Sequence, residues 1–271
     1  MKAGEHPIPI LMFFASAKRN RWALAWLKIY DNTREDKYLQ ATKFIFQDMT
    51  TGWGAPCGGM WWDKAHTYSG AIENELLLTV AAQLANRVST AKEKEYYLNW
   101  ALRQWDWFQQ SGMINPYYTV NNGIDVATCR NDNGTIWSYN QGVILGGLVE
   151  LYRASPNPAY SITAEKIARA AIDHLSDSDG ILHDPCEPDC GDDGPQFKGI
   201  FMRNLQILQA ARPNETFERF IQQNADSIWV KDRGNGDQLG LVWSGPFTGA
   251  TASTQSSACD ALVAAMAQDA T

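Results

Sequence analysis

Apolar residues recur along this chain with a helical period. Trp22, Trp26, Ile29 and Tyr30 mark one face, and Tyr38, Ala41, Phe44 and Ile45 mark the next. Spacings of three and four residues place such positions on one side of an α-helix. The same pattern predicts further helices over about 68–87, 92–111, 138–154, 159–175, 197–211, 214–230 and 250–269. Asn32-Thr33 reads as a stop after the first helix, and Pro156 and Pro158 follow another. No segment sustains the alternation of a β-strand.

A loose repeat runs through these helices. Tyr38-Leu39 is followed by Ala41, Tyr97-Leu98 by Ala101, and Tyr160 by Ala164, each near the start of the second helix of a pair. Short polar turns (31–36, 88–93 and 155–159) join the members of a pair. Long loops rich in Gly and Trp (50–67, 112–136, 176–196 and 231–249) join one pair to the next. Stacked helical hairpins have this signature, and the alternation puts every long loop on one face of the scaffold. The expected fold is all-α, an α/α toroid. Six hairpins, or twelve helices, commonly close such a ring. Nine leave it open or lacking about the first three helices.

Composition narrows the function. The 271 residues suffice for one domain or at most two. A net charge of −7 argues against a nucleic-acid or anionic-membrane partner, because both need a basic surface. No apolar run has the length of a membrane span. Residues 8–14 are apolar and precede Ala15-Ser16-Ala17, but Pro7, Pro9 and Glu5 break the secretory pattern, so no convincing signal peptide is found.

Five cysteines lack zinc-finger spacing. Cys186 and Cys190 bracket a short loop that a disulfide can close. Cys57 and Cys129 can pair if their loops share a face, and Cys259, in an apolar helical run, is expected to be a buried free thiol. Asn133 and Asn214 each begin an Asn-x-Thr glycosylation triplet.

Eleven tryptophans are the unusual feature, and several stand in the long loops beside amide and hydroxyl side chains. The motifs are CGGMWW (57–62), YSGAIENE (68–75), WSYNQG (137–142) and FKG (197–199). Flat aromatic rings and amides suit sugars, which present C–H faces and hydroxyl edges. The candidate substrate-binding residues are therefore Trp61, Trp62, Tyr68, Asn74, Tyr139, Asn140, Gln141 and Lys198. Plainer readings stand beside them: helix packing for a tryptophan and helix capping for Asn140. Lys198 is a cation at a helix start, where it opposes the dipole, which favours a functional or paired role. Asp125 and Asp132 bind sugar hydroxyls or only water. Gln255, Ser256 and Ser257 fit a helix start. His66, His174 and His183 show no metal spacing, and no metal or cofactor is expected. Asp192-Asp193 is an adjacent acidic pair that offers a substitute catalytic dyad; with Asp184, Glu187 and Asp189 it reads better as a solvated acidic loop or a weak cation site.

In order along the chain, RWALAWLKIYDNT (21–33), CGGMWW, AIENELLL (71–78), WSYNQGVILGGLVELYRA (137–154), FKGIFMRNL (197–205) and QSSACDAL (255–262) resemble glycoside hydrolase family 76. The resemblance covers about residues 21–267 and divides the chain into a divergent segment, 1–20, and a family-like domain, 21–271. It implies an (α/α)6 barrel, and a secreted or cell-wall fungal enzyme that cleaves α-1,6-linked mannan with retention. It also implies two consecutive aspartates just before the first motif. Those places hold Ala17 and Lys18, neither of which can act as nucleophile or acid. In addition, a Tyr-Lys-Asn of the family reads Tyr68-Ser69-Gly70 here. The abrupt loss of resemblance before Arg21 implies an N-terminally incomplete chain. The alternative is a catalytically dead carbohydrate-binding remnant. Other α/α-toroid enzymes fit less well: a sugar epimerase would show histidines on inner helices, and a terpene cyclase an Asp-rich helix.

Overall fold

The structure is a computed structural model and describes residues 16–268, with side chains from Arg21 onward. The signal-like stretch at 8–14 lies outside the described residues. Ala17 and Lys18 fall in the first turn of a helix, but their side chains also lie outside the described set.

Nine α-helices are found among the described residues: α1 (Ser16–Thr33), α2 (Asp36–Thr50), α3 (Ala71–Arg87), α4 (Ala91–Gln110), α5 (Ser138–Ala154), α6 (Pro158–Leu175), α7 (Phe197–Ala211), α8 (Glu215–Lys231) and α9 (Ala252–Met266). They match the periodicity to within a few residues. The odd-numbered helices form an inner arc, in which α1 packs on α3, α3 on α5, α5 on α7 and α7 on α9. Even-numbered helices lie outside it. No comparable packing joins α9 back to α1 among the described residues, so the arc is open there.

Burial explains which helices lie inside. In α3 every residue from Ala71 to Ala85 is buried, and in α5 every residue from Ser138 to Leu151. Outer helices bury one stripe: Tyr97, Ala101, Gln104, Trp105 and Phe108 in α4, for example. An all-round buried helix belongs in a core and a one-sided helix on a surface. Close approach of inner helices depends on missing side chains. A Cβ on Gly142 of α5 would stand 2.6 Å from the Phe201 backbone of α7, and one on Gly199 of α7 would stand 2.7 Å from the Ser257 backbone of α9.

At the short-turn end, Arg87 of α3 donates two hydrogen bonds of 2.8 Å to Asp31 of α1 and one of 3.2 Å to Glu150 of α5. This ties together the C-terminal ends of three neighbouring inner helices. Side-chain caps start several helices: Thr90 accepts from the Glu93 N–H, Asn157 from Ala159 and Asn214 from Thr216.

At the opposite end, the long loops precede the N-termini of α3, α5, α7 and α9, as the alternation of loop lengths requires. The loop before α3 and the loop before α5 are joined twice. A small antiparallel sheet runs β1 (Ser69–Gly70), β2 (Gly123–Asp125), β3 (Arg130–Asn131), with Ser69 opposite Ile124 and Ile124 opposite Asn131. A Cys57–Cys129 disulfide makes the second link, and Cys186–Cys190 closes a turn within the loop before α7. Cys259 corrects an expectation: it is exposed. Helix α9 buries Thr254, Ser257, Ala258, Ala261, Ala264 and Ala265, and Cys259 lies on the opposite stripe with Val263 and Met266, beside the open end of the arc.

Candidate active site

The loop before α3 is a rigid shelf. Asn74 accepts the Met60 N–H at 2.9 Å, and Ser69 Oγ donates to the Met60 carbonyl at 2.8 Å. The Trp61 N–H bonds to the Gly52 carbonyl, and the Trp62 N–H to that of Tyr68. Trp62 is partly buried against the core. Trp61 is half-buried and is not part of that core; its indole stacks on the exposed His66 ring, with centroids 5.0 Å apart and planes within 5°.

Beside this shelf lies a continuous polar cluster. The Tyr68 hydroxyl donates to Asp132 at 2.7 Å, and the Asn122 amide donates to Tyr68 at 3.1 Å. The Asn122 carbonyl oxygen accepts from the Tyr139 hydroxyl and from the Asn140 amide, each at 3.4 Å. Tyr139 packs against Phe197, ring centroids 4.2 Å apart, which links α5 to α7. Tyr68, Tyr139 and Asn140 are thus brought together by Asn122, a residue the sequence motifs did not single out. A lone Asn in a long loop carries no signal of its own.

Two carboxyls beneath this cluster were also missed. Glu73 and Glu75 lie on the first turns of α3 and are fully buried. Glu73 accepts the Gly70 N–H as a capping interaction, while its second oxygen and both oxygens of Glu75 have no hydrogen-bond partner. Burial raises the Glu73 carboxyl to about 8. It raises Glu75 well above the ordinary range, with the Glu73 charge adding to the effect.

Three of the sequence candidates serve inside the protein. Asn74 is buried and bonded to Met60, Gly70 and Gln104. Gln141 is buried and clasps the Val120 backbone, accepting its N–H and donating to its carbonyl. Lys198 is buried at the start of α7, 2.5 Å from Glu187, donating to the Leu241 carbonyl at 2.7 Å and lying 4.4 Å from the Trp243 ring. Lys198 therefore joins the loop before α7 to the loop before α9. The acidic loop is accordingly not a wholly solvated one. Asp184 is buried and accepts from the backbone and hydroxyl of Ser138, and burial lifts its carboxyl to about 6. Burial also acts on Glu187, but His183 and Lys198 outweigh it and hold that carboxyl below its usual value. Asp189, Asp192 and Asp193 are exposed. No group of residues able to hold a metal ion occurs among the described residues.

Asp125 bonds the Ala127 and Thr128 N–H groups of its own turn. Gln255 accepts the Leu239 N–H, Ser257 the Gly199 N–H, and α9 itself is capped by Thr251. The inner helices surround a hollow of about 350 Å³ whose walls include Arg21, Leu24, Ile72, Leu76, Ile200 and Arg203.

A family model for glycosyl hydrolase family 76 matches residues 19–271. A putative mannan endo-1,6-alpha-mannosidase of Schizosaccharomyces pombe is 28% identical over 223 residues, which cover 76% of this chain and 50% of the relative. The chain thus spans about half the length of the curated relatives it matches. Among solved structures, the Lin0763 protein of Listeria innocua superposes with a TM-score of 0.86 at 26% identity, covering 96% of this chain and 74% of that one. An alpha-1,6-mannanase of Salegentibacter sp. shares the fold with a TM-score of 0.81 at 22% identity, covering 93% of this chain and 75% of that one. That structure is an inactive variant, with two consecutive aspartates changed to alanine, in complex with alpha-1,6-mannotetrose.

Proposed function

The chain belongs to glycosyl hydrolase family 76, and from that premise we propose that it forms the sugar-binding part of a glycosidase acting on α-1,6-linked mannan. The observation that carries this reading is the hydrogen-bonded set of Tyr68, Asn122, Asp132, Tyr139 and Asn140 beside Trp61. It lies on the long-loop face, where the inner helices begin. Its hydroxyl and amide groups match sugar hydroxyls, and the indole matches a pyranose face.

The chemistry needs more than this set. Retaining cleavage requires one carboxylate to attack the anomeric carbon and one acid to protonate the leaving oxygen. The Salegentibacter variant is inactive with two consecutive aspartates removed. By the resemblance of its first motif, this chain holds Ala17 and Lys18 at the matching places. The reading is therefore that residues 1–271 bind mannan and do not cleave it; a mannan endo-1,6-α-mannosidase activity needs the missing carboxyl pair. The two disulfides favour an oxidising compartment. With acceptor triplets at the exposed Asn133 and the half-buried Asn214, they support a secreted, glycosylated protein of the cell wall. No helix among the described residues is long and apolar enough to cross a membrane.

Calorimetry and product analysis with α-1,6-mannotetraose test the reading. Binding without shorter products is expected. Release of mannose or mannobiose would overturn the claim of lost chemistry. Absence of binding would overturn the sugar site itself.

A further inference from the structure

Trp61 is the aromatic platform of the candidate site, and one of its faces is already covered. His66 lies parallel to the indole at a centroid distance of 5.0 Å, the offset-stacked spacing of an aromatic pair. A pyranose ring stacked on this face would have to take the place of the imidazole. We propose that His66 is an internal cap on the Trp61 platform, occupying the position of a sugar ring until a mannose unit displaces it. The proposal rests on the mannan-binding reading above and adds to it a competition within the site.

The backbone supports a fixed platform and a movable cap. Trp61 is held by its bond to Gly52, and its neighbours are held as firmly: Met60 by Asn74, and Trp62 by Tyr68. His66, by contrast, stands in the exposed turn 64–67. The turn is fastened by Asp63, whose carbonyl accepts the His66 N–H at 3.3 Å and whose carboxylate accepts from the Thr67 hydroxyl at 3.1 Å and from the Thr67 N–H at 3.4 Å. The two Thr67 bonds are exposed and the residues 64–67 are exposed too, so water replaces these bonds at little cost when the turn opens. His66 has φ of 58°, a left-handed backbone that histidine, like asparagine, adopts more often than most residues. The ends of the turn stay pinned at Trp62 and Tyr68, and Tyr68 belongs to the polar cluster. Displacement of His66 therefore uncovers an indole face in the loop that leads directly into the polar cluster.

The test is a binding cycle with α-1,6-mannotetraose by calorimetry, using the full chain, His66→Asn, Trp61→Ala and the double variant. Asparagine tolerates the left-handed backbone and removes the ring; His66→Gly is a second route to the same end. His66→Asn is expected to bind about 2- to 10-fold more tightly, the worth of one aromatic stack. Trp61→Ala is expected to bind more weakly, and in that background His66→Asn should change nothing. Unchanged or weaker binding by both His66 variants, beside measurable binding by the parent chain, overturns the cap and leaves the mannan reading intact. Binding by the His66 variants alone supports a cap that closes the site. Binding by none of the proteins overturns both readings.

Discussion

Lys198 Nζ lies 2.5 Å from Glu187 Oε1, with both side chains buried where two loops meet. Through this pair and its bond to the Leu241 carbonyl, Lys198 holds the loop before α7 against the loop before α9. Removing one partner of a buried ion pair leaves an uncompensated charge, which costs about 3–5 kcal/mol. Lys198→Met is expected to lose stability on that scale in urea denaturation, and a K198M/E187Q double variant to regain part of it. A K198M protein of unchanged stability and lost mannan affinity would instead return the lysine to the sugar.

The buried carboxyls of α3 predict a pH dependence of defined sign. The ordinary value for these groups is 4.5, and burial lifts Glu73 to about 8 in the folded protein, with Glu75 also well above its ordinary value. Between those limits the native state binds more protons than the unfolded chain. Their contribution to stability is complete below pH 4.5 and is lost as the pH rises toward 8, at up to about 1.4 kcal/mol per unit for each group. Glu75→Gln, neutral and of the same shape, is expected to raise the melting temperature at pH 8 and to change it little at pH 5. An equal shift at both values would contradict this account.

The Cys57–Cys129 disulfide spans 72 residues of sequence and joins the two loops that build the polar cluster. By loop-closure entropy it contributes about 4 kcal/mol, against about 2 kcal/mol for Cys186–Cys190, whose separation is only 4. A C57A/C129A variant is expected to show the larger loss in chemical denaturation and weaker mannotetraose binding. Equal losses for the two pairs would mean that loop length does not govern them.

Exposed apolar groups stand on the two helices that end the open arc: Trp22 on α1, and Val263 and Met266, 62% and 69% exposed, on α9. The recombinant chain is expected to self-associate through them. Val263→Glu with Met266→Lys should shift the population toward monomer in light scattering. A monodisperse, cooperatively melting parent chain would refute this.

Much of the scaffold was legible in the periodicity because each helix buries a face defined by its own spacing. The periodicity predicts α3 from Tyr68, three residues before it begins, since Tyr68, Ser69 and Gly70 look helical by pattern but Ser69 and Gly70 pair with the loop before α5. Strands of two or three residues are too short to show alternation. The sequence marks Asn74, Gln141 and Lys198 as polar groups at or near the starts of helices that follow the long loops. That reasoning finds their location but not their direction. Each turns inward because a buried backbone or carboxylate needs a partner there. Cys259 is exposed for the converse reason: an apolar neighbourhood in sequence does not say which helix face has a neighbour in space.

By itself the sequence determined the nine helices, their pairing into hairpins, the common face of the long loops and the family resemblance, because these follow from local spacing and ordered motifs. Only the tertiary structure decided that Asn122 gathers Tyr68, Tyr139 and Asn140, that Glu73 and Glu75 are buried beneath them, and that His66 covers Trp61. Those contacts join residues on separate loops or depend on which way a side chain turns, and neither is written in the spacing of a single segment.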